Sequence, residues 1–391
     1  MQTTPQLNQL PTPCYLYDSS LLAQTLNTLH AATGSHDNYH VHYAIKANAH
    51  PQVLRQIATS GLGADCVSGG EIRAALEAGF PAAEIVFAGV GKSDWEIRLA
   101  LQSGIGMFNV ESTEELEVIH EIATSLNIRA RVSFRINPDV EAHTHAHITT
   151  GKAENKFGIA KEDMVAVIRL AASMPFVEFL GLHFHIGSQL LVMDDFEALC
   201  QRINELQELL DAEGIYAPNI NVGGGLGIDY EQPDQHPIPD FQSYFNTFAR
   251  GLQLRSGQQV HFELGRSIVG QMGSLLTRVL YVKQGKQKRF VIVDAGMTEL
   301  IRPALYGALH HIENLSATER AKATDASSQE MQTYDVVGPI CESSDVFAKD
   351  LLLPATRRGD LIAIRSAGAY GEAMASTYNC RPFPKAYFIN D

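Results

Sequence analysis

Short apolar runs alternate with longer amphipathic stretches from about residue 20 to residue 266. The apolar runs read as strands: VHYAIKAN (41–48), GADCVS (63–68), IVFAG (85–89), MFNVES (107–112), ARVSFRIN (130–137), FLGLHFHIGS (179–188), INVGGG (220–225) and VHFELGR (260–266). Between them PQVLRQIATSG, GGEIRAALEAGF, STEELEVIHEIATSLN and DDFEALCQRINELQELLDAEG carry helical spacing. Several of these have Pro, Ser or Asp near the start and Gly near the end, as helix boundaries prefer. DSSLLAQTLNTLHAAT adds a helix before the first strand. Strands alternating with helices over about 250 residues are what a (β/α)8 TIM barrel requires. A doubly wound open sheet is the alternative, but its usual GxGxxG signature does not follow YAIKAN.

After residue 266 the texture changes. GSLLTRVLYVKQG, KRFVIVDAGM, YDVVGPICE and GDLIAIRSAGAY are β-rich runs joined by turns, which predict a second, all-β domain. The polar stretch SATERAKATDASSQEMQ (316–332) reads as a surface loop within it. TPCYLYD (12–18) is short and strand-like, and its pattern fits either domain.

Composition narrows the partners. The formal charge of −14 over 391 residues argues against nucleic acid or an anionic membrane, since both are bound by clustered Lys and Arg. An anionic ligand must therefore be caught by local basic side chains and backbone amides. Five scattered cysteines (Cys14, Cys66, Cys200, Cys341, Cys380) without a CxxC pair fit a reducing compartment better than a disulfide framework. MQTTPQLNQLPTPCYLYD has neither a basic nor an apolar leader region, and no run approaches the roughly 18 apolar residues of a membrane span. The expectation is a cytoplasmic protein.

In a barrel the C-terminal strand ends face the active site. At those ends stand Lys46, Asp65, Glu111, Arg135, His183, His185, Ser188, Gly223 to Gly225, Glu263 and Arg266. A lysine, a histidine, a glycine run, an acid and an arginine on one rim suit pyridoxal phosphate. That cofactor needs a lysine amine for its Schiff base, and an apolar surround for Lys46 would favour the neutral, reactive amine. Its phosphate needs amides and an arginine, which NVGGGLG and Arg266 supply. Glu263 can keep the pyridine nitrogen protonated, and His185 can lie against the ring. Each residue alone has a plainer reading. Lys46 can reach solvent or pair with Asp65 or Glu111, GGGLG can be a turn, one histidine of HFH can be a core residue, and Glu263 with Arg266 can be a structural ion pair. The alternate histidines His143, His145 and His147 lack the spacing of a zinc site, so no metal is expected.

The motifs YAIKAN, DCVSGGEI, FRINPDV…HTHAHITTG…NKFGI, GLHFHIGSQ, NVGGGLGIDY, ELGR, DAGMTELIRPALYGALH, GPICESSD and AGAYGEAMASTYNCRP resemble the diaminopimelate decarboxylase family. That family belongs to the fold-type III, alanine-racemase-like group of pyridoxal phosphate enzymes, and the match runs from about residue 12 onward. The resemblance implies a barrel over residues 20–268 and a β-sandwich domain made from 1–19 plus 269–391. It also implies a homodimer with active sites at the interface. Carried onto matching positions, Lys46 bears the cofactor and His185 stacks on its ring, while Glu263 faces the ring nitrogen. Ser188, Gly223, Gly224, Gly225, Arg266 and Tyr370 hold the phosphate, and Asp65 and Arg135 complete the cofactor site. Arg266, Arg302, Tyr306 and Tyr370 are implied substrate contacts. Cys341 and Glu342 would reach across from the other subunit, as proton donor and as reader of the substrate's distal end. The implied reaction turns meso-diaminopimelate into L-lysine and carbon dioxide; related family members acting on ornithine, arginine or carboxynorspermidine are the alternative. HTHAH is implied to be an active-site loop. Leu264 stands where many relatives have proline, and Ser366 where an acid or asparagine is common.

Overall fold

The computed structural model describes residues 7–140, 156–324 and 330–390. The chain divides into two compact units. One comprises Leu26–Gly227 and Pro239–Ser267; the other takes the described residues up to Thr25, the segment Ile228–Ile238, and those from Ile268 onward.

In the first unit, β2 (Tyr39–Ala44), β3 (Gly63–Cys66), β4 (Ile85–Phe87), β5 (Met107–Val110), β6 (Ala130–Arg135), β7 (Val177–His183), β8 (Asn219–Asn221) and β9 (Gln259–Leu264) close in that order into a parallel barrel. β1 (Cys14–Asp18) precedes them and belongs to the second unit. The barrel is the predicted one, but each strand stops short of its apolar run. The ladder ends at Ala44, whereas the pattern extends to Asn48; β7 ends at His183, whereas the pattern extends to Ser188. The reason is burial. Ile45, Ala47, Ile186, Leu190 and Val222 follow the last ladder residues and stay inside, so hydrophobicity reports enclosure and not hydrogen bonding between strands.

The helices start where polar caps stand. Ser68 Oγ accepts from Glu71 N, Ser112 Oγ from Glu115 N, and Asp240 Oδ1 from Ser243 N. The helix Phe241–Gly251 lays Tyr244, Phe245 and Phe248 against Phe196 and Phe262. Phe245 and Phe262 meet edge to face with centroids 4.9 Å apart, a geometry that adds about 1 kcal/mol to simple burial.

The second unit holds β1 with β10 (Gly273–Gln284), β11 (Arg289–Val293), β12 (Ile312–Asn314), β13 (Met331–Val337), β14 (Val346–Pro354), β15 (Leu361–Ile364) and β16 (Lys385–Ile389). The order runs β12-β15-β10-β11-β13-β14, and β1 pairs with β10 and β16. β10 is shared between two ladders: Leu275–Arg278 pairs with β15, and beyond a bulge at Val279 its second half pairs with β11. The strand at 12–18 thus joins the sheet, in parallel register Cys14↔Lys385 with β16.

Two features of this unit depart from the sequence reading. The expected loop at 316–332 is helical over Leu315–Thr324, and β13 begins at Met331. Asn314 Oδ1 accepts from Ala317 N at 2.9 Å to start that helix, and Arg320 pairs with Asp360 at 3.0 Å to anchor it. Its Ala, Glu, Arg and Lys content favours helix once such anchors exist. Secondly, Ile228–Ile238 is drawn into the sheet unit, where Tyr230 O accepts from His311 N and Asp234 meets Arg365 at 2.8 Å.

Both sequence departures gain a structural setting. Leu264 completes β9 opposite Tyr43 and is fully buried, so the strand continues where a proline would interrupt it. Ser366 sits at φ 55°, in the left-handed region that asparagine and aspartate tolerate better, with its buried Oγ lacking a hydrogen-bond partner among the described residues. Ser366→Gly is expected to raise stability by about 1 kcal/mol, read as an increased denaturant midpoint at unchanged slope. A lowered midpoint would show that the hydroxyl is worth more than the backbone relief.

Candidate active site

Lys46 lies in a single helical turn, Ile45–Ala47, just past the end of β2. Its Nζ donates to Asp65 Oδ2 at 3.2 Å, with the lysine side chain 42% exposed and the carboxylate enclosed. The surround is therefore not the wholly apolar one that the strand pattern suggests; an acid stands beside a reachable amine. Burial pushes the Asp65 carboxyl up to about 6, an effect that Lys46 moderates and Glu263 reinforces. Asp65 Oδ1 is buried with no hydrogen-bond partner among the described residues.

The sign of the consequence follows from linkage. A carboxyl near 6 when folded and near about 3.9 when unfolded holds more protons in the native state between those values. This group's contribution to stability is therefore present at acid pH and lost as pH rises through about 6. Asp65→Asn should raise the melting temperature of the cofactor-free protein at pH 7.5, with the gain shrinking on acidification and vanishing below about pH 4. A gain that grows on acidification would contradict the burial argument.

Glu263, on β9, lies inside the barrel mouth. Its Oε1 accepts from Asn109 Nδ2 at 2.8 Å and from Asn221 Nδ2 at 2.7 Å, and its Oε2 meets His183 Nε2 at 3.0 Å. Burial alone would raise its pKa, but His183, followed by Lys46, holds the carboxyl well below the usual range. Glu263 is an anion at neutral pH.

His185, beyond the end of β7, accepts a hydrogen bond from Gly224 N on Nδ1 at 3.3 Å. Burial, with the cations Arg135 and Lys46, pushes its pKa well below the ordinary histidine value, so the ring is neutral with its proton on Nε2. The glycine run needs glycine because it crosses other backbone. A Cβ on Gly224 would stand 1.9 Å from Glu263 O, and Gly225 has φ 106°. Arg266, two residues past β9, donates from Nη2 to Ser188 Oγ at 3.0 Å. Arg135 ends β6, its Nη1 on Glu111 Oε1 at 2.9 Å and its guanidinium 4.6 Å from the Phe157 ring centroid. Its charge is thus largely answered by Glu111.

Lys46, Asp65, Arg135, His185, Ser188, Gly223 to Gly225, Glu263 and Arg266 all belong to the barrel unit, at or just beyond strand ends on one rim. Arg302, Tyr306, Cys341, Glu342 and Tyr370 belong to the sheet unit. There Arg302 is buried, donates to His310 Nε2 at 2.9 Å and lies over the Tyr230 ring; His310 Nδ1 in turn donates to Arg365 O. Tyr306 closes the short helix Arg302–Tyr306, and Tyr370 adopts φ 57°, a strained backbone of the kind that collects at functional positions. Cys341 and Glu342 are exposed; Cys341 N donates to Asn379 Oδ1, and Glu342 accepts from Tyr378 OH at 2.7 Å. His143, His145 and His147 lie outside the described residues.

Sequence reasoning passed over Asn109, Asn221 and Lys92. The available signal was an uncharged polar residue inside an apolar strand, as in MFNV and INV.

The donor set fits pyridoxal phosphate. It offers a reachable amine, an anionic carboxylate enclosed in the barrel, a neutral imidazole, and a serine–arginine pair beside a glycine loop. Comparison with known proteins points the same way. The model of the pyridoxal-dependent decarboxylase family, pyridoxal binding domain, matches residues 22–270. The chain is 61% identical over 378 residues to a diaminopimelate decarboxylase of Bacteroides thetaiotaomicron, covering 97% of this chain and 95% of that one. It is 44% identical over 378 residues to a Zymomonas mobilis protein of the same name, covering 96% and 86%. The crystal structure of diaminopimelate decarboxylase from Helicobacter pylori complexed with L-lysine is similar at TM-score 0.89 and 42% identity, covering 98% of this chain and 93% of that chain. Among the described residues no helix is long and apolar enough to cross a membrane.

Proposed function

Because the chain belongs to the diaminopimelate decarboxylase family of pyridoxal-dependent decarboxylases, we propose that it converts meso-2,6-diaminopimelate to L-lysine and carbon dioxide, the last step of lysine biosynthesis. The observation that carries the reading is the gathering of Lys46, ionised Glu263, neutral His185 and the Arg266–Ser188 pair on one barrel rim.

Pyridoxal phosphate, when bound, supplies a ring that withdraws the electron pair left behind by the departing carboxylate. Lys46, the reachable amine of this rim, would hold the cofactor through its Nζ. Asp65 keeps that amine oriented from 3.2 Å away. Glu263, held as an anion, would favour the protonated form of the cofactor's ring nitrogen. His185, neutral and fixed by Gly224, would offer an uncharged ring face to the cofactor. Arg266, Ser188 and the amides of Gly223 to Gly225 would hold the phosphate, a role the family resemblance extends to Tyr370, and Arg135 supports this rim through Glu111.

The substrate has two amino-acid ends, and only one reacts. Arg302, Tyr306 and Arg266 receive carboxylate charge, while Glu342 receives the distal ammonium. Cys341 Sγ gives its proton to the carbon that has lost carbon dioxide. Cys341 and Glu342 serve the site of a second copy in a homodimer, and the enzyme works in the cytoplasm. Comparison of kcat/KM for meso-diaminopimelate, ornithine, arginine and carboxynorspermidine tests the substrate. A clear preference for meso-diaminopimelate is expected, since a substrate without the distal carboxylate leaves a buried arginine unpaired. Preference for ornithine or arginine would move the chain to another branch of the family.

A further inference from the structure

We infer that Asn109, Asn221 and His183 are positioning residues that hold the Glu263 carboxylate ionised and aimed, with Lys92 anchoring the strand end that carries Asn109. The inference rests on the reading of Glu263 as the partner of the cofactor's ring nitrogen.

An enclosed carboxylate without donors takes up a proton, because burial penalises the charged form. Glu263 is given three donors from three different strands: Asn109 on β5, Asn221 on β8 and His183 on β7. Two converge on Oε1 and the third binds Oε2, so the carboxylate plane cannot rotate without breaking at least one bond. Both asparagines are fully buried.

Each amide is oriented by its surroundings. Asn109 Oδ1 is buried without a hydrogen-bond partner among the described residues, yet turning the amide over would set that oxygen against Glu263 Oε1. A half-satisfied buried amide costs stability, so fold economy alone would not choose asparagine here. Asn221 is fixed from the other side, its Oδ1 accepting from Gly223 N at 2.9 Å. One residue thereby ties the glycine loop to the carboxylate.

Lys92 completes the arrangement. Its amine is almost wholly buried and donates to Gly89 O at 2.7 Å, Asn109 O at 2.8 Å and Glu115 Oε1 at 2.6 Å. All three ammonium protons are thus used, and one of them pins the backbone of Asn109. The other ionisable groups that interact electrostatically with Glu263 are Lys46, Asp65, His185, His42, His261 and Tyr244. Of these, Lys46 favours its ionised form, as His183 does.

The test uses holoenzymes carrying Asn109→Ala, Asn221→Ala, His183→Ala, His183→Gln and, as control, Glu263→Gln. The readouts are the visible spectrum of the bound cofactor against pH without substrate, the pH profile of kcat, and melting of each cofactor-free protein. Each lost donor should move the acidic spectral transition up by about one pH unit and lower kcat with little change in KM. His183→Gln, which keeps a neutral donor, should recover part of what His183→Ala loses. A transition that stays at the wild-type pH in the asparagine variants, while Glu263→Gln alters it, overturns the inference. An unaltered spectrum in Glu263→Gln instead overturns the reading of Glu263 itself. Should either alanine variant fail to fold, Asn109→Ser or Asn221→Ser gives the same measurement with a smaller void.

Discussion

Lys46→Ala should lower decarboxylation by roughly 10⁴-fold or more, and borohydride should no longer fix the cofactor to the chain. The size of the effect follows from the absence of a substitute. Lys46 is the amine at the end of β2, beside Asp65 and 42% exposed, whereas the side chain of Lys92 is buried with its three protons committed to Gly89, Asn109 and Glu115. Lys92 therefore cannot move in to replace it. The variant should still fold, since the exposed amine contributes little to packing and its removal leaves Asp65 to take up a proton more readily. Persistent borohydride fixation, mapped to a different lysine, would remove Lys46 from the reaction.

Cys341→Ala should lower turnover by about 10²- to 10⁴-fold while the cofactor still binds. The chain sorts its own thiols. Cys14, Cys66 and Cys200 are buried, and burial pushes Cys14 up to about 11, Cys200 up to about 12 and Cys66 well above its ordinary value. Cys341 and Cys380 are the exposed pair, so Cys380→Ala is the natural control and should leave turnover near wild type. Mixing Lys46→Ala with Cys341→Ala tests whether the thiol serves a second copy. Hybrid dimers then contain one site with both groups intact, and part of the activity should return. No recovery despite demonstrated subunit exchange would mean that each site is built from one chain.

The barrel was legible because strand and helix periods alternate eight times in order, and the closed sheet keeps that order. Lys46, His185, Glu263 and Arg266 were legible because ionisable residues stand out at the ends of apolar runs. What the pattern hid has physical causes. Strand ends were blurred by buried residues such as Ile45 and Ile186 that continue past the ladder. The helix Leu315–Thr324 looked like a loop because its anchor, Asp360, lies 40 residues from Arg320. For Lys46 the sequence named both an apolar surround and a pair with Asp65, and the choice fell to the pair because β2 and β3 lie side by side in the barrel. Asn109 was overlooked because its partner Glu263 is 154 residues away, and only barrel closure joins them. Local sequence announces which residues are unusual, whereas their partners are set by topology.

The most direct measurement is a titration of the holoenzyme with meso-diaminopimelate, following the cofactor's visible spectrum, carbon dioxide and L-lysine together. The account predicts a spectral change on binding, then carbon dioxide and L-lysine in equal amounts, with neither product formed by Lys46→Ala. An unchanged spectrum, or a spectral change with no lysine formed, would contradict it.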